Sequence, residues 1–197
     1  MRNIRCNLIL LVGLAVLTCS IPSEAQKPRA ERPTYALGDK WIRQDGVYDL
    51  IRIEKDLYIF AAGPGQEIHL TKDLAVQKML RGGQAEWEFY PPPKLGWPLE
   101  VGKWGKTNGS LKLASGPRFA AITWIVEAYE DIQVSAGVFK AFRITMRLET
   151  GYGPMLLQRG EFVTWYAPEA RQLVKAENRD FGSCQLQQYD LVRRSQP

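Results

Sequence analysis

The side chains that most often do chemistry are few in this sequence and far apart. Beyond residue 25 there is a single cysteine, Cys184, and the chain has a single histidine, His69. A thiolate nucleophile needs a base beside it, whereas these two lie on separate strand-like segments, His69 within Glu67-Ile68-His69-Leu70 and Cys184 near the C-terminus. Cys184 is therefore read as a small hydrophobe in a closing strand. Structural zinc takes four His, Cys or carboxylate ligands, so no metal site and no cofactor is predicted. Glu127, Glu130 and Asp131 form the densest acidic group and could in principle serve as an acid–base pair or hold calcium. Their place near a strand end predicts solvated carboxylates instead. The sequence carries no G-x-S-x-G, Walker or G-x-G-x-x-G pattern, and Gly63-Pro64-Gly65 is too short and proline-blocked to cradle a phosphate. No catalytic residue is predicted, and the chain does not read as an enzyme.

Binding chemistry is better represented. All six tryptophans, Trp41, Trp87, Trp97, Trp104, Trp124 and Trp165, lie beyond residue 25. On an antiparallel sheet such rings line an apolar cavity, stack on sugars or fill a core. The candidate ligand-binding residues are Trp97, Trp104, Trp124, Phe142 and Trp165, with Trp97 and Trp104 in a Gly- and Pro-rich stretch outside regular strands.

These rings must be positioned by strands, and the clearest ones lie between Pro117 and Glu177. Ile122, Trp124, Val126 and Ala128 share one parity and Thr123, Glu127 and Tyr129 the other, with Ile125 out of pattern. Phe142, Ile144, Met146 and Leu148 then alternate with Ala141, Arg143, Thr145, Arg147 and Glu149, which predicts a strand with one buried and one charged face. Between the two, Gly137 can supply the positive φ of a hairpin. Phe162 to Ala167 is a β-prone run stopped by Pro168, and Leu173 to Glu177 resumes after a loop.

Two of these segments carry a resemblance. Val134, Ala136, Gly137, Phe139, Lys140, Ala141 and Phe142 form V-x-A-G-x-F-K-A-F, and Trp165 to Glu169 with Val174, Lys175 and Glu177 form W-Y-A-P-E…V-K-x-E. Together with Gly38 to Trp41 and Trp97 to Lys103, this pattern resembles a group of exported proteobacterial proteins of unknown function. The resemblance implies a β-rich protein of the periplasm or cell surface and brings no activity with it.

The remainder reads as short strands and turns. Residues 26–36 are polar and proline-bearing, which predicts a flexible linker. Asp45-Gly46 predicts a hairpin pairing Trp41 to Gln44 with part of Val47 to Glu54. Leu57 to Ala61, Glu67 to Leu70 and Glu86 to Tyr90 read as strands. Thr71 could cap a helical turn reaching Leu80, with Val76, Met79 and Leu80 on one side. Pro91-Pro92-Pro93 predicts a rigid extended loop, and Asn108-Gly109 a turn joining Val101 to Lys106 to Leu111 to Ala114.

The chain of 197 residues suits one domain, predicted over residues 37–197. The expected fold is all-β and antiparallel, a curved sheet or partly open barrel with at most one or two short helices; a β-sandwich is the alternative. Arg2 and Arg5, the apolar run Leu8 to Leu17 and Ser23-Glu24-Ala25 predict a signal peptide over residues 1–25, cleaved between Ala25 and Gln26. A lipoprotein anchored through Cys19 is the alternative. The net charge of +5 comes with no long basic run, so no nucleic-acid partner is expected. Two functions fit: carriage of a lipid-like ligand in a cavity, or a cell-envelope interaction module with a filled core.

Overall fold

The structure, a computed structural model, describes residues 27–152, 155–178 and 182–191. Residues 1–25, for which the sequence predicts a signal peptide, the Ala25–Gln26 bond predicted to be cleaved, and Cys19 lie outside the described residues. The strands are β1 (Arg29–Ala30), β2 (Lys40–Arg43), β3 (Gly46–Ile53), β4 (Leu57–Ala61), β5 (Gln66–Thr71), β6 (Val76–Arg81) and β7 (Gln84–Tyr90), then β8 (Leu99–Glu100), β9 (Trp104–Leu113) and β10 (Gly116–Val134). The series ends with β11 (Gly137–Tyr152), β12 (Met155–Ala167), β13 (Gln172–Asn178) and β14 (Gly182–Asp190). All but β1 and β8 form one closed antiparallel barrel in the order β10-β11-β12-β13-β14-β2-β3-β4-β5-β6-β7-β9. The fold is thus all-β, as the alternation predicts, and the sheet closes on itself rather than staying partly open or splitting into a sandwich. Closure removes the unpaired edges that an open sheet must protect.

The long hairpin of β10 and β11 dominates one wall. Trp124 pairs with Met146 and Ile122 with Leu148, so the same-parity apolar residues fall on one face as expected. At Glu127 the register shifts, because Val126 pairs with Ile144 but Ala128 with Arg143. This bulge inserts one residue and reverses the facing of the strand beyond it, so Tyr129 rather than Ala128 reaches inward and packs on Phe142 at 4.6 Å between ring centroids. Ile125, out of pattern in the sequence, faces outward. The hairpin closes at Ser135-Ala136, with Val134 paired to Gly137 at φ 134°. A Cβ at Gly137 would meet no atom within 4 Å, so the cost of Gly137→Ala is conformational. The variant is expected to lose about 1 kcal/mol of stability in chemical denaturation.

Four expectations are corrected. Residues 26–36 are not a loose linker throughout: Arg29 and Ala30 pair with Glu100 and Leu99, and Ala30 and Tyr35 are buried. Burial of these side chains offsets the entropy of ordering the segment. Thr71 does accept a hydrogen bond from Ala75 N–H at 3.2 Å, yet in a turn rather than a helix, because Ile68 pairs with Met79 and Leu70 with Val76 across β5 and β6. Asn108-Gly109 is not a turn, since β9 runs straight through it with Asn108 opposite Ala121. Gly109 is needed there because a Cβ would strike the backbone of Tyr90, at the end of the paired strand β7. Finally, Ala141 is not on a solvated face but fully buried.

That burial reflects two apolar clusters. Trp41, Leu50, Phe60, Phe139, Ala141 and Trp165 belong to one, and Trp124, Val126, Phe142, Ile144 and Tyr166 to the other. Neighbours on a strand point to opposite faces, so at Ala141–Phe142 and Trp165–Tyr166 both faces of the wall are covered. Tyrosines contribute heavily. Burial raises the Tyr35 and Tyr166 hydroxyls well above the ordinary value, and burial foremost pushes Tyr48 up to about 12. The unfolded chain ionises at about pH 10. Stability from these protonated hydroxyls is therefore fully present below about pH 10 and falls as pH rises toward 12 and beyond. Thermal melts between about pH 8 and 12 should show that decline, and Tyr166→Phe should make it shallower.

Candidate functional site

The interior of the barrel holds a cavity of ≈ 370 Å³ walled by successive strands. Strand β6 gives Val76, β7 gives Trp87 and Phe89, β10 gives Ile122 and Trp124, and β11 gives Met146 and Leu148. Phe162 and Thr164 follow from β12 and Leu173 from β13. Leu74 from the β5–β6 turn and Pro93, Lys94 and Leu95 from the β7–β8 loop complete the lining. Among the described lining residues of the strands, the one hydroxyl, on Thr164, is donated to Ile144 O at 3.3 Å. Its hydrogen-bonding capacity is spent on the wall, which leaves the strand lining apolar in effect. A smaller cavity of ≈ 200 Å³ shares Leu74, Val76, Leu95 and Leu173 with the first, so Leu74 and Leu95 divide the interior.

Two indole N–H groups pin the dividing segments. Trp124 Nε1–H donates to Lys94 O at 2.9 Å, and Trp97 Nε1–H donates to Asp73 O at 2.9 Å. Trp97 also packs edge-on against Tyr166, 5.2 Å between centroids. Asp73 pairs with Arg32 at 2.8 Å and lies 3.8 Å from Lys94 Nζ. The Trp124 ring sits in a slot left by Gly96 and Gly105, and a Cβ on Gly105 would stand 2.6 Å from it. On the other side of Trp124, Lys94 and Leu95 is an open cleft of ≈ 600 Å³ lined also by Asp73, Lys106, Thr107 and Asn108.

Of the candidate residues, Trp124 lines the cavity and Trp97 braces the segment that bounds it. Phe142 is fully buried in the cluster around Trp124 and Tyr166, on the face of β11 that carries Met146 and Leu148 but outside the cavity lining. Trp165 points to the opposite face, where its Nε1–H donates to Glu130 Oε1 at 2.9 Å and Lys175 Nζ lies 4.8 Å from its ring. Trp104, expected outside regular strands, instead opens β9 with 67% of its surface exposed, beside the exposed Ile125 with which it is paired in register. Sequence reasoning missed Trp87, Phe89, Ile122, Met146, Leu148 and Phe162 as lining residues. The parity that Ile122 shares with Trp124, and Met146 and Leu148 with Phe142, was the signal that could have found three of them.

The acid and thiol groups are engaged in structure. Glu127 and Glu130 pair with Arg143 at 3.2 and 3.6 Å, and Asp131 with Lys140 at 2.8 Å. His69 is buried with Nε2 3.1 Å from Glu67 Oε2, and Cys184 Sγ accepts from Arg43 at 3.3 Å. β2, β3 and β4 stand between their two strands in the barrel order. No group of three or more His, Cys, Asp or Glu suited to a metal occurs among the described residues. Cys184→Ser and His69→Gln should accordingly leave binding of an apolar dye in the cavity unchanged, as a fluorescence titration would show.

The geometry thus defines a closed antiparallel barrel with an apolar chamber. Neither a family model nor a curated protein matches the sequence. Among solved structures, the chain is similar to a provisionally named exported protein with a YmcC-like fold from Bacteroides fragilis, with TM-score 0.50 and 12% identity over 82% of this chain and 99% of that one. A provisionally named lipoprotein from Parabacteroides distasonis gives 0.47 and 11% over 82% and 99%. The hypothetical lipoprotein YmcC from Escherichia coli gives 0.48 and 7% over 78% and 89%. At such identity the likeness to the Bacteroides fragilis protein is one of fold.

Proposed function

We propose that this barrel binds an apolar, lipid-like ligand in the chamber between β6, β7 and β10 to β13, and that it does so outside the cytoplasm. The observation that carries the reading is the ≈ 370 Å³ chamber whose described strand lining is aliphatic and aromatic with one hydroxyl, that of Thr164. Chambers of this size and lining suit small apolar molecules, since burying their surface contributes roughly 25 cal/mol per Å². The outward face of the same wall is charged, with Arg147 paired to Glu161 at 2.8 Å and Arg159 to Glu149 at 3.0 Å. Apolar inside and charged outside is the reverse of a membrane-spanning barrel, which suits carriage through an aqueous compartment. Export is supported by the basic, apolar and small-residue pattern of residues 1–25 and by the name of the Bacteroides fragilis protein of similar fold. Residue Cys19 offers lipid anchoring as the alternative to cleavage before Gln26.

Native mass spectrometry of the protein purified from its own cell envelope tests the reading. An added mass that is lost on extraction with organic solvent is the expected result; a bare polypeptide mass that takes up no apolar dye would reject it. One observation favours the second reading, an envelope interaction module: Val101, Trp104 and Ile125 are exposed, and Trp104 and Ile125 are neighbours on the outer wall. Trp104→Ser would then abolish envelope association and leave the chamber's dye binding intact.

A further inference from the structure

We propose that the ligand is a single-chain anionic amphiphile, with its chain in the apolar chamber and its head group in the adjoining cleft beside Lys94 and Lys106. This rests on the ligand-binding function proposed for the chamber and adds the chemistry of the head group. Chamber and cleft adjoin, because Lys94, Leu95 and Trp124 line both. The Trp124 ring is the partition between them, seated against Gly96 and Gly105. A molecule lying across that partition meets hydrocarbon on one side and polar groups on the other.

The charge around the cleft selects the head group. Asp73 is the carboxylate of its lining, and Arg32 already holds it at 2.8 Å while Lys94 stands off at 3.8 Å. The Lys103 stem lies against Gly96 and its ammonium donates to Pro98 O at 2.8 Å rather than to a carboxylate. Lys106 makes no ion pair among the described residues. Two lysines, Lys94 and Lys106, against one aspartate that Arg32 already holds leave the lining of the cleft positive. A carboxylate or phosphate there gains charge-assisted hydrogen bonds, and a cationic head is repelled. The chamber, near the lower end of the ≈ 300–1,000 Å³ range of small-molecule sites, fits one chain better than two.

The test is competition against the neutral dye N-phenyl-1-naphthylamine by four amphiphiles kept below micelle-forming concentration: palmitate, palmitoyl lysophosphatidate, hexadecanol and hexadecylammonium. At least one of the two anions is expected to displace the dye at roughly tenfold lower concentration than hexadecanol, the factor that one charge-assisted hydrogen bond supplies. Which anion wins separates a free fatty acid from a lipid phosphate. Lys106→Gln, which touches the cleft and not the chamber, should reduce the anions' advantage over the alcohol several-fold and leave the alcohol itself unchanged, which shows that the chamber is intact; adding Lys94→Gln should remove the rest of that advantage. Equal displacement by hexadecanol or hexadecylammonium overturns the head-group assignment and leaves the apolar-ligand reading standing. A dye that does not bind, or that none of the four displaces, overturns both.

Discussion

Phe142→Ala is expected to lower the unfolding free energy by about 3–5 kcal/mol, the range for removing a buried aromatic ring. The ring is fully buried, lies tilted against Tyr129 with centroids 4.6 Å apart, and packs in the cluster of Trp124, Val126, Ile144 and Tyr166. Its neighbour Ala141 is also fully buried, so β11 is covered on both faces at this point and the backbone cannot sink into the space left by the ring. A partial collapse would reduce the cost; a covered strand forbids it. Phe142→Leu should cost less, about 1 kcal/mol, because most of the volume stays filled. Urea denaturation of the two variants checks the pair, and a loss below about 1 kcal/mol for the alanine variant would show that the wall deforms.

Filling the chamber should have the opposite signature. Ile122 and Leu148 are paired across β10 and β11 and both line the cavity. Replacing both with tryptophan puts ring volume where a ligand chain would lie and adds contacts that the wall lacks at present. Binding of a neutral apolar dye is expected to weaken by at least about tenfold, equivalent to about 1.4 kcal/mol, while the melting temperature holds or rises. Dye titration and thermal melts of the same preparation read both effects. Loss of binding together with loss of stability would point to overpacking, and unchanged binding would place the dye elsewhere.

The wall of the site was more legible than its contents. Alternation at 122–126 and 142–148 specified which faces turn inward, because period-two patterning is imposed by the pleat itself. What alternation cannot carry is the bulge at Glu127, where one inserted residue exchanges the roles of Ala128 and Tyr129. Nor does it show barrel closure, which depends on strands remote in sequence. The tryptophans misled in part for a physical reason: indole fits a cavity wall, a core or an exposed edge equally well, and Trp124, Trp165 and Trp104 occupy these three places. The loop that divides the interior was legible only as a rigid, proline-bearing connector. That Leu95 and Leu74 insert from it and from the β5–β6 turn is fixed by hydrogen bonds between indoles and distant carbonyls, for which local sequence holds no sign.

Closure of the ring has a consequence for how the chain is made. Every pairing in the barrel except two joins strands consecutive in the chain; β7 and β9 merely skip β8, whereas β14 must find β2, aligning Asp190 with Lys40 and Leu186 with Arg43. That last seam cannot form until the C-terminal strand has emerged, and its formation must overcome the entropy of closing a loop nearly as long as the domain. Until it does, β2 and β14 are two open edges on one molecule, each able to recruit a strand from another copy. The same hydrogen-bonding surface that gives the finished barrel its continuity is therefore, for a short interval in every molecule's history, its route to aggregation.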